Sequence, residues 1–184
     1  MFKRLMFLSL TLSFGCAGPQ AGATTDDAST STPSASSEGA PITVTPVELT
    51  PDQQELADGI NEQLSYYSDT LKTNCGMELV VDWATFVQDG KMDGLASTIA
   101  SACQGPAMAA GEICADGGKR TALNAKADRI ICTHVTDRSA SGLSFAGGAL
   151  VSRVVVENTG KGGDPSAYFA PDRLQAMKFF DSSL

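Results

Sequence analysis

Cys75-Gly76-Met77-Glu78-Leu79-Val80-Val81-Asp82-Trp83 opens the stretch that decides the fold, and Arg129-Ile130-Ile131-Cys132 closes it, with Cys103 and Cys114 between. Four of the chain's five cysteines therefore fall within one segment. An even cysteine count in an exported domain reads as a disulfide framework. Four cysteines allow three pairings. Joining neighbours along the chain gives the expected pair, Cys75–Cys103 with Cys114–Cys132. A structural zinc site would ask for C-x-x-C spacing. The gaps here are long and uneven, and His134 is the only imidazole in the sequence. No metal and no cofactor is expected.

Outward from that stretch, the upstream element is the best defined. Thr50-Pro51-Asp52-Gln53 combines an N-cap threonine, a proline at the first helical position and a glutamine three residues on, a capping box. Ala57, Ile60, Leu64, Tyr67 and Leu71 then recur at helical spacing, and Gly76 is placed to end the helix. Met77–Trp83 reads as a short, largely buried strand, and Ala84–Val87 as a helical turn. Leu95, Ile99 and Cys103 share one helix face. Gly105-Pro106 is read as the end of that helix and the start of another, which runs to Cys114. Lys119 to Asp128 is helical again.

Downstream the period changes. Arg129 to Val135 is β-rich. Leu143–Phe145, a glycine turn and Ala149–Val156 form strand, turn and strand. Asn158 to Ser166 is a glycine-rich loop. Pro171-Asp172 opens a closing helix with Leu174, Met177 and Phe180 inward. The expected class is α+β: N-terminal helices, a small antiparallel sheet, a C-terminal helix and two disulfides.

The chain's first residues carry an address. Lys3 and Arg4 precede an apolar run, Leu5 to Phe14, too short to span about 30 Å of hydrocarbon. The run ends Ser13-Phe14-Gly15-Cys16-Ala17. This resembles a bacterial lipobox, in which a small residue precedes a cysteine that is cut free and acylated. Gly15 and Cys16 match; Ser13 stands where leucine is usual. The resemblance implies a signal peptide over 1–15, lipidation of Cys16 and, with Ala17 next, delivery to the outer membrane, the domain facing the periplasm or the cell surface. Residues 16–48 are rich in Ala, Ser, Thr and Pro and read as a disordered tether, with 49–184 as one globular domain.

Without Lys3 and Arg4 the chain carries 11 bases against 21 acids, a net charge of −10. Such a body disfavours nucleic acid and flat binding to anionic lipid. The expected partners are the membrane through the lipid, and an envelope protein or small ligand through the domain.

Candidate catalytic and ligand motifs are each incomplete. Gly142-Leu143-Ser144-Phe145-Ala146 lacks the last glycine of G-x-S-x-G, and His134 precedes Ser144, where a hydrolase elbow needs it after. His134 with Asp82 or Asp137 could make an acid–base pair, the basis of an alternative reading as a small cell-wall hydrolase. Asp89–Gly94 begins like a calcium loop, but Lys91 and Ala100 stand where oxygen ligands are needed. Gly160–Asp164 lacks the strand–loop–helix setting of a phosphate cradle. Lys119, Arg120, Lys126 and Arg129 read as a solvated helix face, and Trp83 and Phe86 as core. The expectation is a non-catalytic binding module.

Overall fold

The computed structural model describes residues 42–88, 96–157 and 167–184. The signal segment, Cys16, most of the tether, Asp89–Gly94 and Gly160–Asp164 lie outside them.

The first helix, α1 (Pro51–Cys75), starts and stops as its end residues dictate. The Gln53 amide donates to Thr50 Oγ1 at 3.3 Å and the Thr50 amide to Gln53 Oε1 at 3.0 Å. These bonds satisfy two donors that a helix start otherwise leaves open. Gly76 takes φ +72° and donates its amide to the Lys72 carbonyl, the left-handed cap that glycine favours. Ala57, Ile60, Leu64 and Leu71 are buried along one face.

Strand β1 (Glu78–Val81) returns beneath α1, and α2 (Trp83–Gln88) follows it. Helix α3 (Ala96–Ile113) then runs alongside α1 in the same direction. The first halves of the two helices meet through Ala57, Ile60, Ile99 and Ala102, and their second halves through Leu71, Ala107, Ala110 and Ile113. Helix α4 (Gly117–Asn124) leads into β2 (Arg129–His134). A 3₁₀ turn (Arg138–Ala140) precedes the hairpin β3 (Gly142–Ala146) and β4 (Ala149–Glu157). Gly147 (φ +55°) and Gly148 (φ +75°) make its two-residue turn, where both positions need positive φ. Short β5 (Ala167–Phe169) and α5 (Arg173–Ser183) close the chain.

The class is α+β, but the sheet is mixed rather than antiparallel. Its order is β1-β2-β4-β3, with β5 pairing the far end of β4. β1 with β2 and β2 with β4 are parallel; β3 and β5 run antiparallel to β4. The reason is connectivity. Three helices separate β1 from β2, and a crossover of that length brings the chain back to the starting end, so the next strand repeats the first one's direction.

The same geometry corrects the disulfide pairing. The bridges are Cys75–Cys114 and Cys103–Cys132, with Cα–Cα separations of 5.3 and 5.7 Å. Because α1 and α3 are parallel neighbours, Cys75 at the end of one meets Cys114 just past the end of the other. Cys103, mid-way along α3, faces down onto β2 and meets Cys132. One bridge ties helix to helix, the other helix layer to sheet. In the chain-entropy picture each contributes about 4 kcal/mol, not additively, because their loops overlap.

Two further expectations change. Gly105-Pro106 does not divide a helix: α3 continues through Pro106. It continues because both flanks are buried, and Gly105 admits the start of α5. A Cβ there would stand 2.6 Å from the Pro171 carbonyl oxygen. In α5 the buried positions are Ala176 and Phe180, with Met177 partly covered, whereas Leu174 is 63% exposed. The Asp172–Gln175 capping box sets that phase.

The helix layer covers one sheet face, burying Ile130, Cys132, Leu150, Val154 and Val156. On the other face Ile131, Ala149 and Val151 are buried, with Ile42 and Val44 packed on them.

Candidate functional site

His134, the residue on which a catalytic reading rests, closes β2 and is 5% exposed. Its backbone amide donates to Thr85 Oγ1 at 2.9 Å, and its ring lies 5.6 Å from that of Phe86. Phe86 is wholly buried, and Trp83 packs 6.3 Å from it, half-buried. The neighbouring Thr133 points the opposite way, as strand alternation requires, and donates its hydroxyl to Asp82 Oδ2 at 3.3 Å. Asp82 thus lies on the Thr133 side of the strand, not the His134 side. Burial pushes the Asp82 carboxyl above its usual range, against the Thr133 hydroxyl and the Ala84 and Thr85 amides, which favour the ionised form. The Thr85 hydroxyl donates to the Asp82 carbonyl at 2.8 Å. These contacts fasten the start of α2 to β2, a structural task.

Asp137 is exposed and spent locally. Its carboxylate accepts from the Ser139 amide at 2.8 Å and the Ser139 hydroxyl at 2.7 Å, which hold it below the usual carboxylate range. Ser144 sits inside β3, paired with Val151, and accepts from Arg153 Nη1 at 2.9 Å. A nucleophile elbow needs a sharp strand-to-helix turn; this serine is in an ordinary ladder. His134, Asp82, Asp137 and Ser144 are therefore not brought together as a hydrolase would need.

The basic residues do separate things. Lys119 pairs with Asp181 at 2.8 Å, and Lys126 donates to the Ser183 carbonyl at 2.6 Å and stands over the Phe145 ring at 5.4 Å. Both fasten the end of α5. Arg129 lies 3.0 Å from Asp128, and Arg120 is exposed. Among the described residues no three or more His, Cys, Asp or Glu side chains converge as metal ligands would. No described helix is long and apolar enough to cross a membrane.

Two surface features went unread in the sequence. One is a hollow of about 290 Å³ between α1 and α3, floored by Ala107 and Gly111 and walled by Tyr66 and Tyr67. Tyr66 is 72% exposed and meets Tyr67 edge to face. The other is a pair of adjoining hollows, about 260 and 240 Å³, along α1 beside β1, sharing Asn61 and Val81. Neither could be found from spacing alone, since each depends on which elements become neighbours. Exposed Tyr66 beside core position Tyr67 was the one available signal for the first.

Set against protein-family models, curated proteins and solved structures, the chain has no significant match to any of them.

Proposed function

We propose that this chain is a bacterial envelope lipoprotein, cleaved before Cys16, acylated there and held at the outer membrane. Its domain, 49–184 with Ile42 and Val44 packed onto it, serves as a non-catalytic binding module for another envelope protein or a small ligand. The observation that carries the reading is the cysteine arithmetic. Two buried bridges use Cys75, Cys114, Cys103 and Cys132, and Cys16 is left over behind its apolar run. Bridges of this kind persist in oxidising compartments. Multiple acyl chains on one cysteine give stable anchoring where a single chain does not. Residues 16–41, as a flexible coil, would span roughly 30 Å, enough to hold the domain just off the membrane. The competing hydrolase reading needs His134 and an aspartate on one face, and their placement gives it no support.

The test is fractionation of cells making the native chain or Cys16→Ala. The native chain should partition with membranes and carry acyl mass on Cys16. Cys16→Ala should lose the acyl mass and leave the membrane fraction. A native chain recovered from the cytosol with unmodified Cys16 would overturn the reading.

A further inference from the structure

β1 is an edge strand, and among the described residues nothing pairs with its free side. The phase of its ladder is fixed by one bond, the Asp82 amide to the Cys132 carbonyl at 2.9 Å. In a parallel pair alternate residues bond the neighbour. Val80 and Asp82 are therefore turned toward β2, and the amides and carbonyls of Leu79 and Val81 face outward. Edge strands with free backbone groups are templates for strand addition.

The edge opens into the two hollows beside α1. The wall of the nearer one is polar: Asn61, Ser65, Ser68 and Asp69 stand over Leu79 and Val81. Asp58, Glu62 and Asp69 lie along the same side of α1 at helical spacing, all exposed, and Glu78 is exposed on β1 itself. Lys72 continues the row at the last turn, and Arg129 is the cross-strand neighbour of Glu78. The balance is acidic, in a chain of net charge −8.

We propose that β1 receives an extended segment of a partner protein as an added strand, with lysine or arginine at alternate positions turned toward α1. This names the partner class for the binding module above and rests on that reading. Charge selects the occupant. A second copy would bring the exposed acids of this side of α1, Asp58, Glu62 and Asp69, up against a surface of the same sign, and like charges brought together disfavour pairing. A basic strand would turn its cations toward Asp58, Glu62 and Asp69 on α1 while its backbone bonds Leu79 and Val81; Glu78, like its partner Arg129, points to the opposite sheet face.

The test uses the full chain, bridges intact, in detergent micelles, with amide hydrogen exchange over Met77–Asp82 as readout. The probe is an acetylated, amidated octapeptide of alternating lysine and valine. Its controls are the same peptide with every amide N-methylated, and a glutamate–valine counterpart. The lysine–valine peptide should slow exchange in this segment, and neither control should. Leu79→Pro removes one outward donor and leaves the β2 ladder, but also removes a side chain packed on the core; in a variant whose peptide-free exchange outside this segment matches the native chain, it should abolish the protection. Asp69→Lys, an exposed change that leaves the core alone, should weaken binding several-fold. Exchange unchanged by the lysine–valine peptide, equal protection by the N-methylated form, or undiminished binding to Asp69→Lys would overturn the proposal. The readout does not depend on acylation, so its failure is distinct from failure of the lipoprotein reading.

Discussion

The two faces of the sheet are held in different ways. The face toward the helices buries large side chains (Phe86, Phe180, Ile130 and Leu150) and is cross-linked to α3 through Cys103–Cys132. The opposite face is covered at Ile131, Ala149 and Val151 by Ile42 and Val44, and further along it carries Thr133, Ser144 and Arg153. Hydrophobic burial scales with the apolar area removed from water. Stability should therefore reside on the helix side, leaving the other face and the β1 edge freer to vary.

The largest effect should come from the bridges. Replacing Cys103 and Cys132 together by Ala should cost about 4 kcal/mol in denaturant unfolding. The Cys75/Cys114 pair should cost a similar amount, and all four changes together less than twice that, because the loops overlap. Next, Phe180→Ala should cost about 3–5 kcal/mol, whereas Val44→Ala on the other face should cost about 1 kcal/mol, since its side chain is only partly covered. Equal losses would erase the contrast between the faces. Thr85→Val removes the acceptor of the His134 amide and should cost about 1–2 kcal/mol. Ser152 is wholly buried on the helix side, and its hydroxyl has no partner among the described residues. Ser152→Ala should therefore stabilise by about 1 kcal/mol.

The smallest effect is one of pH. Burial raises the Asp82 carboxyl in the folded chain, so the fold binds this proton more tightly than the unfolded chain does. Asp82 therefore favours folding at low pH, and that contribution is lost as pH rises from the ordinary carboxylate value through the raised one. Asp82→Asn keeps an acceptor for Thr133 and removes the titration. Unfolding midpoints measured across that acidic window should lose this part of their slope; an unchanged slope would show that Asp82 titrates normally.

How much the sequence disclosed follows the range of the interaction. α1 was legible to its caps, since Thr50, Gln53 and Gly76 act within a few residues of one another. The Gly147-Gly148 turn was legible because its positive φ angles select glycine. The strand directions and cysteine partners were not, because both depend on α3 lying parallel to α1, a packing outcome that no local spacing encodes. Pro106 misled for the same reason. Its lost hydrogen bond is local, but the burial that keeps α3 intact comes from α1, α5 and the sheet. At the candidate site, Phe86 was readable as core but the burial of His134 was not, and the β1 edge emerged only once β1 was known to pair on a single side.

The most direct measurement is non-reducing peptide mapping by mass spectrometry of the protein extracted from membranes. The account predicts linked peptides Cys75–Cys114 and Cys103–Cys132 and an acylated Cys16. Free thiols at those four positions, a Cys75–Cys103 link, or an unmodified Cys16 would contradict it.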